Sequence, residues 1–201
     1  MVGNPEDEQA LIRRATRGDL DAFNALVLRY QDSAYTLAYR IMGDPHSAAD
    51  AAQDAMITAY RRLNTFRGGS FRAWLLRITT NQCYDELRRR QRRPAASIDD
   101  MGDEPALPDG ADTPEEVVQQ RELQRAMQNC INALNADQRV VLVLCDLEGL
   151  DYQAIAENIG AQIGTVKSRL SRARASIRDC LQGVRELLPP AYRLISDERI
   201  D

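Results

Sequence analysis

The side chains able to do covalent or metal chemistry are sparse in this chain, and their spacing assembles no centre. Cys83, Cys130, Cys145 and Cys180 include no CxxC pair, and His46 is the only histidine, so the ligand set of a zinc site is missing. There is no HExxH, no GxSxG and no glycine-rich phosphate loop. Without a nucleophile beside a base, no catalytic centre is expected, and no metal or cofactor with it. Three of the cysteines lie at apolar positions of helical segments, as in VLVLCDLEG, where buried, reduced thiols are the expectation.

What the spacing does support is attraction to phosphate. The net charge of −4 hides a segregation by sign. Residues 61–93 hold ten arginines against Asp85 and Glu86, whereas residues 94–120 hold eight acids and no base. Residues 162–185 carry Lys167, Arg169, Arg172, Arg174, Arg178 and Arg185 against Asp179 alone. Two basic stretches divided by an acidic one fit a nucleic-acid backbone better than a solvated face.

The elements that position these charges are helical. Of 201 residues 44% are hydrophobic and only 5% aromatic, a globular composition rich in helix formers. No apolar run approaches the roughly 20 residues of a membrane span, so no membrane insertion is expected. The opening MVGNPEDEQALIRR is acidic before it is apolar, the reverse of a secretory signal, and a cytoplasmic location is the expectation.

Punctuation divides residues 1–93 into four helices. Leu11, Ile12 and Ala15 form a short stripe ending at Gly18. Asp19 caps a helix running to Ile41 and closed by Gly43, Asp44-Pro45 opens the next, and Ser70 caps a fourth that ends before Pro94. Residues 94–113, rich in Pro, Gly, Asp and Ala, read as a flexible acidic linker. A second module, 114–185, begins at Thr113-Pro114. It continues through an Asn135 cap with Gln138 three residues on, then a helix through Val140, Val141, Leu144 and Leu147 that Gly149 ends. Residues 186–201 form a tail read as a flexible end.

YQAIAENIGAQIGTVKSRLSRAR has helix-turn-helix spacing. Asp151 caps the first helix, Ala156 permits a close crossing and Gly160 takes a left-handed turn. Ile155, Ile159, Ile163, Val166 and Leu170 seal the crossing. The second helix is expected from about Thr165 to Leu181. Its Thr165, Lys167, Ser168, Arg169, Ser171, Arg172 and Arg174 suit phosphates and guanine edges in a major groove.

Over about residues 8–185 the sequence resembles the extracytoplasmic-function group of bacterial sigma factors, the promoter-recognition subunits of RNA polymerase. GTVKSRLSRAR resembles the recognition helix of the family's fourth region, SAADAAQDAMITAYRRL its core-binding segment, and FRGGSFRAWLLRITTNQCYDELRRR the stretch that melts and reads the minus-ten element. The resemblance implies an all-α fold: a four-helix sigma-two domain (1–93) and a helix-turn-helix sigma-four domain (114–185). It implies that Asp50, Gln53 and Asp54 meet core RNA polymerase. Minus-ten DNA falls to Phe66, Arg67, Gly68, Gly69, Ser70, Phe71, Arg77, Asn81, Arg88 and Arg89, with Asn81 near the flipped base. Trp74 is expected in the core.

The implied activity is non-enzymatic: duplex anchoring at the minus-thirty-five element by the second domain and capture of a melted strand by the first, in stress-responsive transcription. An anti-sigma factor is the implied regulator. Ala161-Gln162 stand where the family often has apolar or proline residues, and Ser171 where a larger side chain is common, so promoter preference does not carry over. The competing reading is a stand-alone helix-turn-helix regulator, against which the second basic surface, in the first module, argues.

Overall fold

The computed structural model describes residues 5–92 and 114–184, and the described residues hold helices and no strand. The expected linker at 94–113 and the tail at 186–201 lie outside them. The chain divides into two compact units, Met1–Gly102 and Asp103–Asp201.

The first unit contains α1 (Pro5–Thr16), α2 (Leu20–Met42), α3 (Pro45–Arg62), a 3-10 turn (Leu63–Thr65) and α4 (Phe71–Arg92). The stops read from sequence are made by side chains. Asp19 accepts from the Ala22 amide at 3.0 Å and from Arg14 Nε at 2.8 Å. Asp44 accepts from the Ser47 amide at 2.7 Å, ahead of Pro45. These caps satisfy amides that a helix start leaves open. Between them Gly43 closes α2 at φ 85°, a left-handed conformation that a side chain would strain.

The inward face of α3 is Ala48, Ala51, Ala52, Ala55 and Ala59, all buried. Such small side chains let α2 and α4 approach closely, and Phe23, Leu26, Phe71, Leu75 and Ile78 supply the bulk. Two polar residues sit inside: Thr79 and Thr80 are fully buried, and their hydroxyls donate to the carbonyls of Leu75 and Leu76 at 3.1 and 2.8 Å. Tyr30 donates to Glu8 at 2.6 Å, tying α2 to α1, and burial beside that carboxylate pushes the phenol up to about 12.

The second unit contains α5 (Pro114–Asn132), α6 (Ala136–Leu142), a π-helical turn (Val143–Leu147), α7 (Tyr152–Ile159) and α8 (Ile163–Gly183). Asn135 and Asp151 cap α6 and α7 by accepting from Gln138 and Ala154 amides at 2.9 and 2.8 Å. Thr113, the expected cap of α5, lies outside the described residues. The half-buried Arg139 donates to the carbonyls of Asn132 and Leu134, supplying partners where α5 ends. Burial lowers its pKa to about 10, so it stays charged at neutral pH.

Three local expectations change. The helix expected to run through Leu147 gives way after Leu142 to the π turn, which carries Cys145 and Asp146. Helix α8 starts at Ile163 rather than near Thr165, because the Gln162 carbonyl already accepts from Thr165 and Val166 amides. Ile163 is 39% exposed and does not seal the crossing, which falls to Ile155, Val166 and Leu170.

The expectation of buried, reduced thiols is also corrected, because Cys130 and Cys180 form a disulfide. Their Cα atoms are 5.7 Å apart where α5 packs on α8, within the range a bridge requires. The pairing arises from packing across 50 residues of sequence and has no local signature. Cys83, buried, and Cys145, half-buried, are free.

Candidate nucleic-acid and partner interfaces

On α3, Asp50, Gln53 and Asp54 are all exposed, opposite the alanine face, as spacings of three and four residues require. The Asp50 side chain is 69% exposed, with Oδ2 3.3 Å from His46 Nδ1. Ile57, 41% exposed, continues the stripe one turn on. Asp50 and Asp54 also border a groove between α3 and α4, whose other lining includes Ser47, Gln82, Asp85, Glu86, Arg89 and Arg90. Gln82 donates to Thr58 at 3.0 Å across the two helices. On α4, exposed Asp85 adds a carboxylate to this groove, beside Glu86, which is paired with Arg89 and Arg90. Sequence reasoning counted Asp85 and Glu86 only as offsets to the arginines and so missed this.

On α4, Arg77, Asn81 and Arg88 are exposed along one side. The Arg88 guanidinium lies 4.9 Å from the Tyr84 ring centroid, a cation–π placement that holds it near the helix surface. Arg89 grips Glu86 with two bonds of 2.7 and 2.9 Å, and Arg90 joins at 3.0 Å while reaching Ser47 and Asp44 on α3. The Arg89 bond, followed by that of Arg90, holds the Glu86 carboxyl below the usual range. Arg89 is thus engaged by its own helix, whereas Asn81 presents its amide outward.

The loop before α4 divides likewise. Arg67, Gly68, Gly69 and Ser70 are exposed, and the glycines hold φ of 96° and 86°, positions a side chain would strain although nothing stands within 4 Å. Ser70 also caps α4 through the Ala73 amide at 3.2 Å. Phe71, expected at the DNA pocket, is only 2% exposed and belongs to the core. Phe66 packs against it and against Trp74 with ring centroids 5.7 and 5.4 Å apart. The aromatic trio supports the loop from beneath, and Trp74 packs against the core as its sequence context suggested.

The helix-turn-helix is formed by α7, Gly160 and α8. Gly160 sits at φ 65°, ψ 39°, and its amide closes on the Ala156 carbonyl. Val166, Leu170 and Ala173 face inward, which leaves Ser168, Ser171 and Arg172 on the exposed side. Thr165 is half-buried, and Lys167 Nζ lies 5.9 Å from the Tyr152 ring centroid.

Two of the arginines assigned to DNA turn instead toward their own unit. Arg169, with a side chain 20% exposed, pairs with Asp137 of α6. Arg174 donates to Asp146 from Nε at 3.0 Å and Nη2 at 2.6 Å. The Arg174 bond holds the Asp146 carboxyl below the usual range, and the pairing raises Arg174 in turn. Carboxylates 32 and 28 residues away pair with α8, a relationship that helical periodicity does not register.

Comparison with known proteins agrees with this geometry. Residues 26–93 match Sigma-70 region 2 and residues 124–177 match Sigma-70 region 4. The chain is 39% identical to the RNA polymerase sigma-H factor of Pseudomonas aeruginosa, over 88% of this chain and 95% of that protein. It is 38% identical to the ECF RNA polymerase sigma-E factor of Escherichia coli K12, over 87% and 94% respectively. Against ECF RNA polymerase sigma factor SigE of Mycolicibacterium smegmatis identity is 35%, over 81% of this chain but only 62% of the relative's length. Among solved structures, the Bartonella quintana sigma factor RpoE, crystallised with the anti-sigma factor NepR, matches with a TM-score of 0.62 at 27% identity. That match covers 80% of this chain and 96% of that one. CnrH, in complex with the cytosolic domain of CnrY, matches with a TM-score of 0.56 at 26% identity, covering 88% and 98%.

Proposed function

The chain belongs to the extracytoplasmic-function group of the sigma-70 family, and on that premise we propose that it is a dissociable specificity subunit that directs core RNA polymerase to a set of promoters. The carrying observation is the order of its surfaces. An exposed acidic face on α3 and the outward amide of Asn81 on α4 occupy the region 2 match, and a helix-turn-helix occupies the region 4 match.

The work divides between the units. Helix α8 enters the major groove of the minus-thirty-five element, with Ser168, Ser171 and Arg172 toward base edges and Lys167 toward phosphate. In the first unit Asn81, the crest Arg67–Ser70, Arg77 and Arg88 receive the melted minus-ten strand. Extruding a base costs a few kcal/mol of stacking. An amide that both donates and accepts recovers part of that cost at a base edge. Asp50, Gln53 and Asp54 dock the core enzyme. The chain itself breaks no covalent bond, since polymerisation stays with the core. It works in the cytoplasm, where that enzyme is, and an anti-sigma factor holds it in reserve, a reading supported by the Bartonella quintana sigma factor crystallised in complex with an anti-sigma factor.

Mixing the full-length chain with core polymerase, and separately with promoter duplex, tests this. Stable association with core and weak duplex binding by the chain alone are expected. Tight duplex binding without core, and none to core, would establish a stand-alone regulator instead.

A further inference from the structure

The bridge between Cys130 and Cys180 is not needed to assemble the reading head of the second unit. The N-terminal half of α8 is seated by Val166, Leu170 and Ala173 and braced by the Asp137–Arg169 and Asp146–Arg174 pairs. After Ala173 no residue of α8 is fully buried; Ile177, Cys180 and Leu181 are only partly so, at spacings that place them on one side. That thinly held end is where the disulfide attaches α5.

We propose that Cys130 and Cys180 are a thiol–disulfide exchange site, at which a dithiol of the thioredoxin class sets how firmly α5 is held to the last turns of α8. The proposal rests on the sigma-factor reading in one respect: that function places the protein beside RNA polymerase, in a thiol-rich compartment where disulfides are chiefly transient or redox-sensing.

The accessibilities give the exchange a direction. Cys130 is 2% exposed, whereas Cys180 is partly open, so an incoming thiolate attacks the Cys180 sulfur. The S–S bond breaks with its electron pair leaving on Cys130, which takes a proton from solvent. The reductant's second thiolate then attacks the mixed disulfide and releases Cys180, which is protonated in turn. Two electrons pass to the protein, which ends as two thiols, and the reductant departs as its own disulfide.

The other two cysteines do not compete. Cys83 belongs to the first unit and is fully buried, and burial pushes its thiol up to about 12. Cys145 is raised by burial and by Asp146 beside it, so little of it is thiolate at neutral pH.

Removing the bridge should loosen α5 and the end of α8 without disturbing the head that reads DNA. The test uses the full-length chain, oxidised and then treated with dithiothreitol without denaturant, followed by thiol counting and amide hydrogen exchange. Reduction should raise the count from two thiols to four. Exchange in α5 and residues 174–184 should rise by about tenfold or more, while residues 152–170 change by less than about twofold. The Cys130→Ala/Cys180→Ala variant should match the reduced protein and ignore dithiothreitol. A bridge that resists dithiothreitol under native conditions would overturn the proposal, as would unchanged exchange in α5 after reduction. None of these readouts involves polymerase, so failure to bind core would refute the function and leave this result standing.

Discussion

Arg174 and Asp146, 28 residues apart in the chain, meet in a two-pronged ion pair with N–O distances of 3.0 and 2.6 Å. Helix α8 is thereby fixed in its rotation about the π turn, and an arginine that its position alone would assign to DNA becomes part of the mount. Arg169, paired with Asp137, has the same fate. Under the proposed function, the exposed stripe left to read base edges narrows to Ser168, Ser171 and Arg172.

That pair has a pH signature. Because the Arg174 bond depresses the Asp146 carboxyl in the folded protein, its stabilisation is complete above the unfolded carboxylate value of about 4 and is lost as pH falls through the lower folded value. Both partners are partly solvent-screened, so Asp146→Asn should cost about 0.5–1 kcal/mol at pH 7. Urea denaturation from pH 7 to pH 2 should show the variant and parent converging at the acid end. A gap that stays constant would assign the loss to something other than the charge.

The two arginines should part company on DNA. Arg172→Ala should cost about 1–3 kcal/mol on the cognate minus-thirty-five element and relax discrimination there. Arg174→Ala should lower stability while leaving the ratio of cognate to scrambled affinity within about threefold. Holoenzyme binding to both duplexes at several salt concentrations separates the outcomes, and an unaltered ratio for Arg172→Ala would remove it from the stripe.

Asp50 and Asp54 are exposed, so Asp50→Lys/Asp54→Lys should fold with an unchanged melting temperature to within about 2 °C. Core affinity should fall by roughly tenfold or more, about 1.4 kcal/mol. Titration of labelled core measures it, and unchanged affinity would move the docking face elsewhere.

Much of this was readable in advance because helix caps are local. Asp19, Asp44, Asn135 and Asp151 announce the helices they start, and each is found accepting the expected amide. The residues that escaped are those whose role depends on packing between elements. Cys130 finds Cys180 only once α5 lies on α8. Arg89 looks free until Glu86 is seen beneath it. Phe71 shares a sequence neighbourhood with the exposed glycines, yet it points into the core.

Asn81 should matter for opening rather than recruitment. Asn81→Ala should leave core binding and duplex docking intact and slow open-complex formation by about tenfold if about 1.4 kcal/mol is lost in the transition state. On a promoter already unpaired at the minus-ten element, the rate penalty should largely disappear. Equal opening rates on ordinary duplex would reduce Asn81 to a surface amide.

The central claim is that this chain makes core polymerase start at particular places. Its most direct test is transcription of genomic fragments by core polymerase with and without the full-length chain, with the 5′ ends of all products mapped. Discrete new start sites, each preceded by a shared pair of upstream elements and absent with core alone, are predicted. An identical set of 5′ ends in the two reactions, from a chain that is folded and mixed with active core, would contradict it.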